Sequence, residues 1–327
     1  YSKVDKKFGF IGPIAFIIPV IILPYYCVIG GWVTKYVAVF ATGEVTEAAN
    51  DSFFGNFVSQ EWAPLVFFII FLALTSIIVI SGVEKGIENV SRFLMPVLIV
   101  LAIVICIYVI MLPGSKDGIK YYLLPDFSKF SFKTVCAAMG QMFYSLSIAM
   151  GILITFGSYM KKNVSIEKST ENVEIFDTGI AIMAGLMIIP AVFAFSGGST
   201  ENLKAGPSLM FITIPKVFAD LSMGGFVGIL FFLLVLCAAL TSSIALTESA
   251  VSTFQDELGW GRKKSTLIIT GIMVLLGTLS SLGYGPLGSV QILGMQFLDF
   301  FDFLTNSVMM PVAAIATCLL VSRVMGV

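Results

Sequence analysis

Residues 224–254, GGFVGILFFLLVLCAALTSSIALTESAVSTF, decide the fold class of this chain. A helix needs about 20 mostly apolar residues to cross the hydrocarbon core of a bilayer. This stretch is longer than that and contains a single charged residue, Glu248. Seven further stretches of the 327-residue chain meet the same criterion: 9–41, 63–81, 90–113, 133–159, 175–196, 265–283 and 297–322. The sequence therefore predicts an all-α polytopic membrane protein with eight transmembrane helices.

The composition excludes several classes of function. Hydrophobic residues make up 57% of the chain and charged residues 12%, about half the charged fraction of a soluble domain. So few charges cannot cover a water-soluble enzyme. The 19 Lys and Arg residues nearly balance the 20 Asp and Glu residues, which excludes a nucleic-acid binder. The chain has no histidine, so no imidazole base or ligand is present, and its five cysteines lie in apolar runs and are expected to be small buried hydrophobes.

The distribution of basic residues predicts the orientation in the membrane. With the N-terminus of this chain in the cytoplasm, 12 of the 19 Lys and Arg residues fall on the inside, as the positive-inside rule requires. The outer loop 42–62 has four acids and no Lys or Arg. Cytoplasmic connections are short and basic: 82–89, 160–174 and 255–264. The longer outer loops 114–132 and 197–223 fit either lids over an outward vestibule or plain connectors. The chain starts at Tyr1, without an initiator Met, and we expect both its ends to be cut.

The fourth span, 133–159, has polar groups at its centre. Ser145 and Ser147 lie just before Gly151, and lipid offers hydroxyl groups no partner. In one interpretation the hydroxyls bond to their own helix and the glycines serve close packing. In the other, the helix is interrupted near Ser145–Gly151, and the freed backbone lines a midplane site for ion and substrate. The span alone leaves both open.

The sixth span carries a second polar patch. Ala238, Thr241 and Ser242 are spaced i, i+3 and i+4, so they share one helical face. Two hydroxyls and a carbonyl form a hard-oxygen half-site that suits Na⁺. The alternative is a helix–helix seam of small residues, a common use of these residue types in membranes.

Other features support a transport site. Acids within spans are costly and need partners; Asp299 and Asp302 share a face and could close a gate, or they complement a helix dipole as Asp177 does. The helix dipole does not explain Glu248, which lies toward the other end of its helix. The Tyr26 hydroxyl must bond a substrate carboxylate or a neighbouring helix, and Pro96 weakens a turn of the third span. There is no catalytic constellation, so we predict a cation-coupled carrier of a small polar solute, not an enzyme.

Motifs along the chain resemble the neurotransmitter:sodium symporter family, and most of all its bacterial amino-acid members. The motifs occur in the family's order: Pro24-Tyr-Tyr, Glu84-Lys-Gly-Ile-Glu with Pro96, Gly140-Gln-Met-Phe-Tyr-Ser-Leu-Ser, Ala205-Gly-Pro-Ser-Leu-Met-Phe-Ile-Thr-Ile-Pro, Ala239-Leu-Thr-Ser-Ser-Ile-Ala, Phe254-Gln-Asp-Glu-Leu-Gly and Leu298-Asp-Phe-Phe-Asp-Phe.

The resemblance implies a partial inverted-repeat fold of five plus five helices, of which this chain holds the third to tenth. Residues 1–327 then form one transmembrane domain: 1–113 is the remainder of the first repeat, 114–132 an outer loop and 133–327 the second repeat. The family's first two helices would be missing. Because the first helix supplies many ligands, the chain as given should bind Na⁺ and substrate poorly.

The resemblance also implies roles for individual residues. Substrate-binding positions are Ile22, Tyr26, Tyr144, Ser145, Ser147, Met150, Ser242 and Leu246. The first sodium site takes Ser145 and Asp177, and the second takes Ala238, Thr241 and Ser242; both would be completed by the missing first helix. Gate residues are Asp302 and the aromatic lid Tyr144. Gly86 and Pro96 match a hinge linked to inward release of sodium.

Two departures from the family pattern refine these expectations. Asp177 stands where many members have asparagine, and its fixed negative charge beside Na⁺ makes a chloride requirement unnecessary. In Ala149-Met150-Gly151, relatives often have glycine first and a bulky residue second, and a flexible Met adapts to large apolar groups. We therefore expect symport of a hydrophobic or aromatic amino acid by alternating access in the plasma membrane, with a small amino acid and the lipid bilayer as partners. The alternative is a non-transporting structural or interaction protein on a degenerate transporter scaffold.

Overall fold

Helices form nearly all of the regular structure in the computed structural model, which describes residues 1, 4–199, 206–221 and 223–325. In chain order they are α1 (Ile11–Ala41), α2 (Val45–Ala48), α3 (Asp51–Val58), α4 (Ala63–Ile80), α5 (Asn89–Ile110), α6 (Ser115–Leu123), α7 (Phe132–Ser145), α8 (Ile152–Tyr159), α9 (Ile166–Phe195), α10 (Ile214–Ala219), α11 (Gly224–Leu258), α12 (Arg262–Leu282), α13 (Phe297–Asp302) and α14 (Met310–Leu319). Wider π-helical turns adjoin four of these helices, at Val83–Glu88, Leu209–Thr213, Phe303–Met309 and Leu320–Met325. The all-α class is confirmed.

Seven helical segments among the described residues are long and apolar enough to cross a membrane: Lys6–Ala41, Ala63–Ile80, Lys85–Ile110, Ile166–Phe195, Gly224–Leu258, Arg262–Leu282 and Phe297–Val324. These match seven of the eight predicted spans. The remaining stretch, 133–159, is divided between α7 and α8, and neither helix is long enough to cross alone. A multi-pass membrane protein is confirmed, whereas eight continuous spanning helices are not.

Helix α1 lies at the centre and packs along α4, α11 and α12, which also pack on one another. Glycines permit the closest approach between α1 and α4. A Cβ atom on Gly31 would lie 2.6 Å from the backbone nitrogen of Phe68, and one on Gly30 would lie 2.5 Å from the ring of Phe71. Both phenylalanine side chains are fully buried. The backbones of α1 and α4 are therefore in direct contact.

Hydroxyl pairs join α4 to its other neighbours. Thr75 Oγ1 and Ser243 Oγ are 2.8 Å apart, which links α4 to α11. Ser76 Oγ and Thr270 Oγ1 are 2.9 Å apart, which links α4 to α12. Since hydrocarbon offers these groups no partner, each pair satisfies two polar side chains and fixes the register of two helices.

Two sequence-based boundaries and one expectation about burial are corrected. Within the predicted cytoplasmic loop 160–174, α9 already begins at Ile166, and the Ser165 side chain accepts a hydrogen bond from the Lys168 backbone N–H. Helix α11 continues to Leu258 and ends at Gly259, whose φ of 64° is left-handed. Hydropathy detects only the part of a helix that lies in lipid, so it misses solvated turns that are stabilised by caps. Two of the five cysteines, Cys136 and Cys318, are exposed instead of buried.

The first long outer loop is docked on a helix. Within 114–132, α6 packs along α9, where Gly118 leaves room for the backbone of Pro190 and Gly185 leaves room for the ring of Tyr122. This arrangement fits the connector interpretation.

The second long outer loop, 197–223, contacts α1. In its described part, the Tyr36 hydroxyl of α1 donates a 2.6 Å hydrogen bond to the Phe211 carbonyl, and Lys216 of α10 pairs with Asp51 of α3. Residues 200–205 and 222, on which part of the predicted lid falls, lie outside the described residues.

Candidate functional site

The fourth predicted span is broken at its centre. Helix α7 ends at Ser145 and α8 begins at Ile152. In the intervening segment, Ser147 and Ala149 have φ angles of 56° and 66°, and Gly151 has 75°. Left-handed backbone costs a non-glycine residue roughly 1–2 kcal/mol, so the segment cannot continue the helix. The predicted interruption of the helix is confirmed; the ion and substrate site that it would line stays a prediction.

Packing holds the broken segment in place. A Cβ atom on Gly151 would lie 3.0 Å from the Ala15 carbonyl oxygen of α1 and 3.1 Å from Ser249 Oγ of α11. Glycine therefore lets the segment lie against both helices. Beyond it, Thr155 Oγ1 lies 3.4 Å from Ser249 Oγ and 3.4 Å from Ser252 Oγ. The start of α8 is thus attached to α11.

Ser145 and Asp177 are brought together, as the predicted first sodium site requires. Ser145 Oγ donates a 2.6 Å hydrogen bond to Asp177 Oδ1. Thirty-two residues separate the two along the chain, yet the end of α7 meets the middle of α9 here. The pair offers a hydroxyl oxygen and a carboxylate, the hard ligands that suit alkali and alkaline-earth cations.

The predicted second sodium site forms one face of α11. Thr241 Oγ1 donates to the Ala238 carbonyl oxygen at 3.0 Å, and the threonine oxygen keeps its lone pairs for a cation. Ser242 is exposed and interacts with the Tyr26 hydroxyl of α1. The three residues therefore present oxygen atoms on one face of α11.

Tyrosines from two helices converge on Asp302, the predicted gate acid. Tyr144, at the end of α7, interacts with Tyr26 and with Asp302, and its side chain lies within hydrogen-bonding reach of Tyr25. The amide of Asn306 donates a 2.6 Å hydrogen bond to Asp302 Oδ1. The predicted lid, the predicted carboxylate-binding tyrosine and the predicted gate acid are therefore neighbours.

A cavity of about 370 Å³ opens beside this cluster. Its lining includes Tyr26 and Val33 of α1, Ala238 of α11, and Pro207 and Phe211 of the second outer loop. Part of that loop thus covers the cavity, as expected of a lid. The cavity is large enough for a small organic solute.

The remaining predicted contacts are buried or half-buried. Ile22, Met150 and Leu246 are 0%, 3% and 4% exposed and belong to the main hydrophobic core. Ser147 is half-buried in the broken segment. The structure brings Met150 onto the same core as Leu246 and Ile22, but it does not bring these three side chains into the lining of the open cavity.

The two residues of the predicted hinge, Gly86 and Pro96, lie in different parts of the third span. Gly86 lies in the turn Val83–Glu88, where a Cβ atom would come within 2.1 Å of the Ile78 carbonyl oxygen. Pro96 lies farther along, inside α5 and exposed. Gly86 therefore serves a close contact between the end of α4 and the start of the third span.

The interactions of three residues were not predicted from the sequence: Arg262, Tyr159 and Tyr25. The partner of Glu248 is Arg262 of α12, which also donates through Nε to the Val79 carbonyl at 2.7 Å, and the Tyr159 hydroxyl donates to Glu248 Oε1 at 2.7 Å. A lone acid within a span signals that a partner exists, but it does not name the partner. Tyr25 is the third of these residues. Its proximity to Asp302 was not predicted, because only its neighbour Tyr26 matches a family position with a known role.

In the C-terminal third of α1, Trp32 lies edge-on to rings from three other segments: Phe54, Phe211 and Tyr284. Burial, and then the neighbouring Asp299 carboxylate, raises the pKa of Tyr284. Its hydroxyl therefore stays protonated at physiological pH and lies 3.4 Å from Asp299 Oδ1.

Comparisons with known proteins agree with this geometry. A family model described as "Sodium:neurotransmitter symporter family" matches residues 58–327. The uncharacterized sodium-dependent transporter YhdH of Bacillus subtilis is 33% identical over 304 residues, which cover 92% of this chain and 66% of the relative. An uncharacterized sodium-dependent transporter of Haemophilus influenzae is 32% identical over 333 residues, covering 99% of this chain and 71% of the relative. The chain thus spans about two thirds of the length of these relatives.

A solved structure is also similar. The crystal structure of MhsT in complex with L-phenylalanine superposes with a TM-score of 0.86 at 36% sequence identity, and the match covers 97% of this chain and 72% of that chain.

Proposed function

The chain belongs to the sodium:neurotransmitter symporter family, and on that premise we propose that it is the core of a sodium-coupled amino-acid symporter that works by alternating access. The observation that carries this proposal is the broken helix, which leaves Ser145 beside Asp177 at the end of α7. The family is one of sodium symporters rather than enzymes, in agreement with the absence of a catalytic constellation. We place the symporter in the plasma membrane with the first residues of this chain in the cytoplasm.

We assign α1 to α14 to the third to tenth transmembrane helices of the family fold. The segment α7–α8 is then one interrupted span, which restores the count of eight, and the similarity to MhsT supports the assignment. Residues 1–113 belong to the first repeat and 133–327 to the second. The family's first two helices lie outside this assignment.

We propose two sodium sites, which the positions of the oxygen atoms support. The first uses Ser145 and Asp177, and the second uses Ala238, Thr241 and Ser242, with further ligands expected from the family's first helix. Sodium at the first site would contact the broken segment that follows Ser145, and the substrate would contact the same segment. Because the two share one site, sodium should strengthen the binding of substrate, and substrate should strengthen the binding of sodium.

The substrate class follows from the lid and the broken segment. Tyr26 would meet the carboxylate of an amino acid and Tyr144 would cover it. Met150 is unbranched and adaptable, and it packs with Leu246 and Ile22 in an apolar core. We propose a hydrophobic or aromatic amino acid, a proposal supported by the L-phenylalanine in the MhsT complex.

Uptake into proteoliposomes tests the function. The product of the complete gene is reconstituted and offered a set of labelled amino acids with Na⁺ or K⁺ outside. We expect accumulation only with Na⁺, and we expect the double variant Thr241→Ala/Ser242→Ala to abolish it because two of the three oxygen ligands of the second site are lost. Ser169→Ala/Thr170→Ala, near the start of α9, removes two hydroxyls that bond to backbone carbonyls one turn earlier, outside the site, and serves as the matched control.

Two results would contradict the proposal. Folded protein that accumulates no amino acid would favour the alternative of a non-transporting scaffold. Sodium-dependent uptake that survives in the Thr241/Ser242 variant would return these residues to a role in helix packing.

Chloride is expected to be unnecessary. The Asp177 carboxylate already supplies a negative charge at the first sodium site, so uptake should be the same when external chloride is replaced by gluconate. Asp177→Asn removes that charge but keeps the side-chain shape. Because the charge no longer attracts the cation, we expect sodium activation to weaken at least tenfold, which corresponds to a loss of about 1.4 kcal/mol. Wild-type uptake that stops without chloride would refute this assignment.

A further inference from the structure

Asn306 makes a direct hydrogen bond to the predicted gate acid. Its Nδ2 atom donates to Asp302 Oδ1 at 2.6 Å. Asp302 is the last residue of α13, and Asn306 lies four residues later in the π-helical turn Phe303–Met309. Both side chains are half-buried. The gate carboxylate therefore has a close polar neighbour in the turn that follows it.

The chemistry of this pair determines which atom of the amide faces the acid. A carboxylate only accepts hydrogen bonds, whereas the asparagine amide has a donating nitrogen and an accepting oxygen. The nitrogen must therefore face Asp302, since the reverse orientation would place two acceptors against each other. The amide oxygen of Asn306 is then left free to accept a hydrogen bond from another group.

That oxygen is buried without a donor. No group in the part of the chain that the structure describes donates a hydrogen bond to Asn306 Oδ1. A buried acceptor without a partner costs roughly 1–3 kcal/mol, and the large majority of such atoms have a partner. The nitrogen and oxygen of an amide are about 2.2 Å apart, so Asn306 Oδ1 lies at most about 5 Å from Asp302 Oδ1. An unused acceptor thus lies beside the gate carboxylate.

The turn that carries Asn306 is attached to α1. Thr305 is fully buried and donates its one hydroxyl proton to the Phe301 carbonyl oxygen at 2.8 Å. The Tyr25 hydroxyl of α1 lies 3.4 Å from Thr305 Oγ1, and it can only be the donor of that contact, because the threonine proton is in use. Asn306 follows Thr305 directly, so its amide starts from a part of the backbone that is held in place.

We propose that Asn306 is a positioning residue for the outer gate: its amide nitrogen orients Asp302, and its amide oxygen accepts from the same cationic N–H donor that pairs with the acid. An ammonium or guanidinium group has several N–H donors, so it can bond a carboxylate and a neighbouring amide oxygen together. Arrival of this donor satisfies the buried oxygen as well as the acid. The proposal rests on the proposed function for the identity of the gate.

Asn306→Ala tests the role, since it removes both atoms of the amide. We expect the KM for substrate to rise roughly tenfold, the cost of lost hydrogen bonds to charged groups, with the maximal uptake rate nearly unchanged. A merely structural role would lower the amount of folded transporter, and hence the maximal rate, without changing KM. Asn172→Ala, at an exposed asparagine of α9, is the matched control. Equal KM values for the two variants would overturn the proposal.

Asn306→Asp tests the accepting oxygen separately. This variant keeps an acceptor for the cationic donor and loses only the amide nitrogen. We therefore expect its KM to lie below that of Asn306→Ala. A KM that equals or exceeds the value of the alanine variant would refute the accepting role of the oxygen.

A double-mutant cycle tests whether Asn306 acts through Asp302. In an Asp302→Ala background, the effect of Asn306→Ala on KM should shrink from roughly tenfold to about twofold or less, because the effects of contacting residues are not additive. An undiminished effect would overturn the proposal. If Asp302→Ala transports too little substrate to give a KM, thermal unfolding decides the question.

Thermal unfolding of the wild type, the two single alanine variants and the double variant also separates this proposal from the proposed function. Even if no amino acid is transported, the Asn306 and Asp302 substitutions should shift the melting temperature non-additively. Loss of transport with non-additive shifts would refute only the function. Additive shifts would refute the link between Asn306 and Asp302, whatever the transport result.

Discussion

Arg262→Met is expected to lower the free energy of unfolding by about 3–5 kcal/mol, the cost of leaving a buried charge without its partner. Glu248 is 0% exposed, and both of its carboxylate oxygens accept hydrogen bonds from the Arg262 guanidinium. Methionine fills the space of the arginine stem but supplies no charge. The melting temperature of the purified protein in detergent should fall by roughly 6 °C or more.

An exposed ion pair on another helix provides the matched control for this substitution. Arg92 and Glu88 are spaced i, i+4, with side chains 72% and 55% exposed, and such a pair contributes about 1 kcal/mol at most. Arg92→Met should therefore change the melting temperature little. The double variant Glu248→Gln/Arg262→Met should recover part of the loss, because no charge is left buried. Equal melting temperatures for Arg262→Met and Arg92→Met would refute the assignment of a buried pair.

Gly31→Ala is expected to separate α1 from α4. The new Cβ atom would lie 2.6 Å from the Phe68 backbone nitrogen and 2.8 Å from its Cα. Both atoms belong to the backbone of α4, so no side-chain rotation relieves the contact. We expect a loss of about 1–3 kcal/mol or more, measured as the fraction of protein that remains monodisperse on size-exclusion chromatography after heating.

Gly271→Ala is the control for the Gly31 substitution. Gly271 lies inside α12, and a Cβ atom there meets no neighbouring atom within 4 Å. Because alanine favours helix over glycine by roughly 0.5–1 kcal/mol, this variant should be as stable as the wild type or slightly more stable. If Gly31→Ala also kept full stability, the two helices would have to be farther apart than described.

Most spans could be predicted from the sequence because lipid imposes a simple requirement on them. Residues 63–81 and 224–254 are long and mostly apolar, and the corresponding helices begin at Ala63 and Gly224. The break near Ser145–Gly151 was one of two interpretations, since serine and glycine serve both packing and interruption. The choice depended on the φ angles of Ser147 and Ala149, which depend in turn on contacts with α1 and α11.

Contacts between distant residues were the part that the sequence could not supply. Nothing in the spacing of Glu248 and Arg262 indicates that a turn at Gly259 returns the guanidinium to the buried acid. Tyr25 and Tyr26 are adjacent and chemically identical, yet one faces Asp302 and the other faces Ser242. Which of two neighbouring tyrosines serves which partner is determined by the rotation of α1 about its axis, and that rotation follows from packing at Gly30 and Gly31.

Helix α8 is short, and its two ends have different attachments. Eight residues of helix are about 12 Å long, with the broken segment at one end and the Tyr159 hydroxyl, 2.7 Å from Glu248, at the other. A tilt of roughly 10° about the broken end displaces the Tyr159 end by about 2 Å, which is enough to separate the hydroxyl from the carboxylate. Because the Tyr159 hydroxyl lies a full helix length from the broken segment, a small change of angle at the break would be enough to part this one hydrogen bond.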